Sequence, residues 1–451
     1  MFYYRVPEFW RKTEKLAFLV RTVSMNSIDW QELQPDENYT WLTEGIRSEF
    51  AAFLPIGTKE AKSGRAASSP TIFKNYGRGV ATCRDDWAYD FDSSKLAAKI
   101  ERFIDTYNSE VDRWRRRGSN TLSIDNFVTY DDTKIKWSEG LKSHLQRSQY
   151  IQFSDGKVRS SFYRPFCREW IYFDRGLIER VYQFPQIFPT HTTEDENAVI
   201  CVSGIGSNKP FHTLVSTIIP CLDMLEKTQC FPYYTYTDDG KNRRENITDW
   251  ALSQFQGKYG SEVTKWNIFH YVYALLHHPQ YRERYAENLK RDLPHIPLLQ
   301  RKEAFLVFVR IGQQLMEMHL RYEQAKEYPL KWTENNDVPF SWRVEKMQLT
   351  PDKTAVIVNQ SLMLEGIPQE TFHYELGNRS ALEWVIDQYQ IKVDKRSGIV
   401  SNPNQLDDEE YIVHLVGKVV TVSIETVRLV TELSQTITQE DGMSEEALPT
   451  V

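Results

Sequence analysis

The sequence predicts a mixed α+β fold, with a β-rich middle section, flanking helical segments, and a small β-meander with further helices toward the C-terminus. Three observations carry that expectation. Apolar residues recur at helical spacing over residues 93–118, 263–293, 300–322 and 406–433. Between about 120 and 235 the texture changes to short β-prone runs broken by Pro, Gly and Asn. Near the C-terminus, SWRVEKMQL, TAVIVNQ and SLMLEG follow one another closely, as the strands of an antiparallel meander would.

Taken in order, residues 1–30 read as a short strand, FYYRV, and a helix around Glu8–Thr22. The strand begins at once, with no cap or lead-in, as it would in a chain cut from a longer polypeptide. TKEAKSGRAASSPT (58–71) is small and polar and reads as a flexible loop. In IFKNYGRGVATCRDDWAYDF, glycines and a charged stretch separate two strand-like pieces. SSKLAAKIERFIDTYNSEVDRWRRRG (93–118) is a helix by its stripe Leu96, Ile100, Phe103, Ile104, Tyr107 and Val111, capped by serine, with a basic last turn before Gly118. SFYRPF, WIYFD, NAVICVSG and FHTLVST are the strand candidates of the middle section. Pro279 divides the helical pattern over 263–293, because proline starts helices more readily than it continues them. NRSALEWVIDQYQI is a helix, and LDDEEYIVHLVGKVVTVSIETVRLVTEL a long one with its acids in the first turn.

A chain of 451 residues exceeds one ordinary core, so two or three domains are expected. The expected divisions are 1–118, 119–435 and a frayed acidic tail, 436–451. A net charge of −7 excludes a wholly basic surface, although it permits one basic groove. Five scattered cysteines without a CxxC pair fit reduced thiols in a cytoplasmic protein. No apolar run approaches the roughly 20 residues that span a bilayer, and MFYYRVPEFWRK has no signal-peptide pattern.

Several chemistries find little footing. No GxxxxGK[ST] phosphate cradle is present, and CVSGIGSNK (201–209) lacks a third glycine and the helix that should follow. Histidines and cysteines never fall at metal-ligand spacing. His144, His191, His212 and His270 have serines and acids nearby, but nothing in the sequence assembles a triad from them. Pro35-Asp36 and Glu60-Ala61-Lys62 spell the PD…ExK pattern of metal-dependent nucleases, in what read as a turn and a flexible loop.

The densest signal is YRPFCREWIYFDRGLIERVY (163–182). Arg164, Arg168, Arg175 and Arg180 alternate there with six aromatic residues. In a strand, core-facing aromatics leave alternate positions free to project guanidiniums, and such a ribbon suits a major groove, where arginine forks onto guanine or phosphate. The same residues also suit a plain sheet in which Glu169, Asp174 and Glu179 neutralise the arginines. The aromatics Tyr163, Phe166, Trp170 and Tyr172 are expected in the core. Lys74, Arg78 and Arg84 lie around two glycines that permit close backbone approach to a ligand, and Arg115, Arg116 and Arg117 end the first long helix. YRERYAENLKRDLPHIPLLQRK reads as an exposed helix face with local ion pairs.

YRPFCREWIYFDRGLIER, QCFPYYTY, HYVYALLHHPQYRERYAENLKRDLPHIPL and GNRSALEWVIDQYQIKVDKRSGIVSNPN together resemble the C-terminal specificity region of type ISP restriction–modification enzymes. YYRVPEFWRKTEKLAFL, IDWQELQPDENYTWL and GRGVATCRDDWAYDF resemble the adjoining end of that family's adenine-specific methyltransferase module. The resemblance covers roughly residues 1–435. It implies a target-recognition role, double-stranded DNA as a partner, and methyltransferase and helicase modules of the same system. The methyltransferase's Asn-Pro-Pro-Tyr tetrapeptide, its glycine-bearing strand end and the Walker motifs do not occur here. S-adenosylmethionine, ATP and Mg²⁺ are therefore expected only in modules outside this sequence, with no cofactor in this chain. The alternatives are a nuclease using Asp36, Glu60 and Lys62, and a non-catalytic interaction scaffold or gene remnant.

Overall fold

The computed structural model describes residues 1–6, 10–22, 24–35, 39, 41, 45–63, 70–117, 123–438 and 441, and divides into two units, residues 1–48 and 49–451. In the first unit, Phe2–Tyr3 pairs antiparallel with Gln31–Glu32. A helix spans Lys12–Arg21, where the Glu14 carboxylate accepts the Arg11 backbone N–H at 2.6 Å. The ring of Tyr4 stacks on Phe18, with centroids 5.3 Å apart.

At the heart of the second unit is a hairpin, Val158–Arg164 with Cys167–Tyr172. Tyr89–Asp90 extends it antiparallel on one side, and Ile219–Pro220 joins parallel on the other. The register shifts between Phe162 and Arg164, and Phe166 takes a positive φ of 56° at the turn, so the tip twists away from a flat ribbon. The Ser93–Arg116 helix lays its Leu96, Ile100, Phe103, Ile104, Tyr107, Val111 and Trp114 stripe into the same core. Its cap is Asp92 and not the expected serine. The Asp92 carboxylate accepts the N–H groups of Ser94 and Lys95 at 2.9 and 3.0 Å, and an anion there also suits the helix dipole. Gly118 lies outside the described residues.

A second sheet, ordered Gly77–Arg78, Gln229–Pro232, Val199–Val202, Thr213–Ser216, is antiparallel throughout. Three of these strands are buried along their whole length, in keeping with cover on both faces. The Lys265–His277 helix is buried over nearly all its surface, and it crosses the Lys302–Leu320 helix closely at Gly312. A Cβ at Gly312 would stand 2.0 Å from the His270 carbonyl oxygen, so only glycine permits that approach. Pro279 opens a separate helix, Pro279–Arg284, capped by the His278 side chain.

The meander forms from Gln348–Leu349, Ala355–Ile357 and Leu362–Glu365, with a fourth, unpredicted edge strand, Lys331–Glu334. KWTE carries little strand signal, and its alternating charges suit an edge exposed to water. Ser380 caps the Ala381–Gln388 helix in a reciprocal pair with Glu383. The Tyr411–Thr436 helix is rich in β-branched residues and holds its form because both apolar cores close on it, one through Val413 to Val422 and the other through Leu429 and Leu433. Its acids precede the first turn, with Glu410 at the cap position. Of the tail, Asp441 is described, and its carboxylate binds Arg301 at 2.6 Å. All five cysteines are free thiols. Among the described residues no helix is long and apolar enough to cross a membrane.

Candidate nucleic-acid interface

The central hairpin forms one wall of a cleft of about 740 Å³, closed on other sides by residues 80–86 and by the hairpin Lys392–Val393 with Val400–Ser401. The guanidinium of Arg164 lies 4.0 Å from the centre of the Tyr163 ring. Its Nη1 donates to the Tyr163 carbonyl at 2.7 Å and approaches Cys221 Sγ at 3.3 Å. Tyr163 Oη donates to Asp85 Oδ2 at 3.3 Å. Opposite, Lys392 is exposed on the cleft's outer hairpin.

Glu169 also lines this cleft. It is 8% exposed, and its carboxyl makes no hydrogen bond among the described residues. Burial pushes its pKa up to about 8, with Arg164 pulling it down and Asp90 and Asp85 pushing it further up. The group is consequently neutral at pH 7 and can donate as well as accept a hydrogen bond. Lys99, a buried cation, is engaged by Asp90 at 3.0 Å and by the Asp86 and Tyr89 carbonyls.

Residues 81–84 separate this cleft from a second depression of about 310 Å³, through the backbone pair Ala81 and Arg180. Arg147, Arg175 and Arg180 line it and are exposed. Arg175 pairs with Asp238 at 2.7 Å, yet both side chains remain more than half exposed, at 63% and 56%. Arg180 donates to the Glu179 carbonyl at 3.4 Å and lies 3.9 Å from Glu179 Oε1, with its side chain 61% exposed. Glu179 itself is held by the Ser138 hydroxyl and by the Gly140 N–H at 3.0 Å. Asp174 is taken by Lys157 at 2.5 Å. The three acids of the aromatic stretch thus leave its exposed arginines largely unneutralised.

Not all of the predicted cations face solvent. Arg84 is 1% exposed, and its fork binds the Lys136 carbonyl at 3.2 Å, the Leu177 carbonyl and the Ser138 hydroxyl. It fastens the floor between the two depressions and has no surface to present to a phosphate, which corrects its expected place among the DNA contacts. Arg168 points away from the cleft and bridges to Glu323 at 3.0 Å and to the Leu320 carbonyl at 3.1 Å. The segment 320–323 therefore covers the hairpin face that was expected to project freely. On the Arg168 side the hairpin is thus tied to segment 320–323, so a ribbon projecting freely does not form there. Phe166 and Tyr172 are core residues, Tyr163 is half-buried in the cleft wall, and Trp170 is exposed.

Lys74, Arg78 and Arg115–Arg117 line neither depression. Lys74 Nζ donates to the Glu245 carbonyl at 3.1 Å, and Arg78 is exposed on its edge strand. Gly79, read as a place of close ligand approach, instead meets its own chain, since a Cβ there would lie 2.4 Å from the Cys221 carbonyl oxygen. Arg115 reaches Tyr150 Oη at 3.2 Å, Arg116 is exposed, and Arg117 stacks on Trp114 at 3.3 Å.

Sequence reasoning missed Arg147, Lys392 and the isolation of Glu169. Alternation held the clue to the last, because Glu169 and Arg168 are consecutive strand positions and face opposite ways. Of the nuclease pattern, Asp36 lies outside the described residues, and Glu60 and Lys62 sit on the short Lys59–Ser63 helix, with Lys62 Nζ 4.7 Å from the Tyr76 ring centre. Among the described residues no group of three His, Cys, Asp or Glu side chains is placed to hold a metal ion.

Comparison with known proteins places this architecture. A family model described as the type ISP C-terminal specificity domain matches residues 71–415. The chain belongs to that family. A nuclease-deletion mutant of the type ISP restriction–modification enzyme LlaGI, in complex with a DNA substrate mimic, superposes with a TM-score of 0.81 at 33% identity, over 93% of this chain and 38% of that one. The DrdV–DNA complex gives 0.82 at 36% identity, over 96% of this chain and 43% of its own. The ATP-dependent type ISP enzyme LlaBIII bound to DNA gives 0.78 at 28% identity, over 90% and 25%. This chain therefore spans less than half the length of each. No curated protein matches it.

Proposed function

We propose that this chain is the DNA-reading part of a type ISP-like restriction–modification enzyme with adenine-specific methyltransferase activity. The observation that carries the proposal is the specificity-domain match over residues 71–415, joined to solved relatives bound to DNA that align with more than 90% of the chain. Methyl transfer, ATP-driven movement and cleavage belong to modules beyond this sequence, together with S-adenosylmethionine, ATP and Mg²⁺. The organisation suggested by the sequence is carried in the same proposal, with residues 1–118 joining the methyltransferase, residues 119–435 reading the target and residues 436–451 forming a tail. Its place of work is the cytoplasm.

Phosphate contacts fix a protein's position on a duplex, and a few side chains at base edges select the sequence. The exposed guanidiniums of Arg175 and Arg180, with Arg147 beside them, suit the first task. Arg164, presented on the Tyr163 ring within the larger cleft, suits the second, where a bidentate arginine–guanine pair discriminates by about 1–3 kcal/mol. Lys74, Arg78 and Arg115–Arg117 lie outside the two depressions and are assigned to flanking backbone contacts. Arg84 and Arg168 hold the framework. Fluorescence anisotropy with a labelled duplex at several salt concentrations tests the reading. Affinity falling linearly in log–log form with salt is expected, and binding that ignores salt, or no binding, refutes it.

A further inference from the structure

The hairpin Lys392–Val393 with Val400–Ser401, which closes one side of the larger cleft, carries side chains that the cleft itself does not use. Its loop is tied down from within. Asp394 Oδ1 accepts the Ser397 and Arg396 N–H groups at 2.7 and 3.0 Å and the Ser397 hydroxyl at 2.9 Å, and Gly398 takes a φ of +70° near the end of the turn. Ile399 is partly buried against the core and anchors the ribbon. Val393 and Val400 are directly opposed across the two strands, so their side chains leave the same face. They are 59% and 52% exposed, an apolar pair turned toward water.

Lys392, Lys395 and Arg396 surround this pair. All three are exposed, and none makes an ion pair or a side-chain hydrogen bond among the described residues. Asp394 is the hairpin's one acid, and its Oδ1 is spent on the loop's own donors. The ground on either side is close to balanced or slightly acidic. Apart from the hairpin, the cleft lining holds Asp85, Asp86 and Asp223 with Lys99, Lys136 and Arg164, while Glu169 is neutral at pH 7. On the hairpin's other flank, a depression of about 710 Å³ adds Asp90, Glu101 and Asp105 with Lys95 and Arg102. Unmatched positive charge is therefore concentrated on the hairpin. Successive strand positions face opposite ways, so Lys392 leaves the reverse of the valine face, and Lys395 and Arg396 stand at the tip. A duplex groove has the complementary layout, with rows of phosphates bordering a floor of base edges. The major groove, about 12 Å wide, admits a two-stranded ribbon, and the apolar group that a base pair presents there is the thymine methyl.

We propose that the 392–401 hairpin enters the major groove of the target duplex, with Val393 and Val400 packed on thymine methyl groups and Lys392, Lys395 and Arg396 on the bordering phosphates. This rests on the DNA-reading role proposed above and adds a second reading element beside Arg164. The test uses the full chain and a labelled duplex carrying the motif selected from a random library, made once with thymine and once with deoxyuridine. Two variants are compared with wild type by fluorescence anisotropy over a range of salt: one combining Lys392→Ala, Lys395→Ala and Arg396→Ala, the other Val393→Ser and Val400→Ser. All five side chains are exposed, so both variants should melt as wild type does. The alanine variant should lower the salt slope by about 2.7, at about 0.9 per phosphate contact. Wild type should bind the thymine duplex about fourfold more tightly than the deoxyuridine duplex for each methyl covered. The serine variant should lose that preference and keep the slope. If the alanine variant keeps the wild-type slope, the hairpin contacts another protein module and the proposal falls while the DNA-reading role stands. Equal binding of the two duplexes by wild type, or a thymine preference that the serine variant retains, overturns it as well. A wild type that binds no duplex overturns both readings together.

Discussion

Substituting Glu169 by glutamine isolates the most unusual group of the cleft. In an unfolded chain this carboxyl loses its proton near 4.5, whereas in the fold burial holds it to about 8. Between those values the folded state binds one more proton than the unfolded state. Stability from this group is therefore greatest below 4.5, declines as pH rises through the window, and levels off above 8. The full displacement is equivalent to about 5 kcal/mol at 1.36 kcal/mol per pH unit, an upper figure because water entering through the cleft softens it. Glutamine keeps the shape and cannot ionise. Between pH 6 and pH 9 the stability of Glu169→Gln relative to wild type should grow by about 2–3 kcal/mol. Urea unfolding followed by circular dichroism at the two pH values measures this directly, and the comparison with wild type cancels the other titrating groups. A gap that stays constant, or one that shrinks toward pH 9, refutes the assignment of Glu169 as a buried, unpartnered acid.

Two further substitutions separate cations that face solvent from one that does not. Arg175→Ala and Arg180→Ala should each reduce the salt slope of duplex binding by about 0.9, with unchanged thermal melting; an unaltered slope removes that residue from the interface. Arg84→Met should cost about 3–5 kcal/mol in urea unfolding, because the buried Ser138, Leu177 and Glu179 groups lose their cation. A change below about 1 kcal/mol would mean that Arg84 is not the fastener described.

The long helices were legible because their apolar stripes repeat at one period, and the hairpin because its aromatics cluster between turn residues. Other features depended on geometry that no local pattern carries. Asp92 and Ser93 are both good caps, and only the backbone direction decides between them. KWTE became a strand because Leu362–Glu365 offered it an edge. At the site, the concentration of arginines was visible, but their fates were not. Arg168 is pinned by a carbonyl 152 residues away, and Arg84 by one 93 residues away. Glu169 looked neutralised in a stretch of nearly balanced charge, yet Asp174 and Glu179 found partners elsewhere and Glu169 found none. The long phrases that mark the family carried more information than any short motif, since they preserve the order of whole elements.

The central claim is that this polypeptide selects a DNA sequence through the cleft and the basic depression beside it. Selection from a duplex library of random sequence by the purified chain, followed by sequencing of the bound fraction, tests that most directly. Enrichment of one asymmetric motif of several base pairs is expected, lost in Arg164→Ala while weak, salt-sensitive binding to other sequences persists. A bound fraction as random as the input library would contradict it.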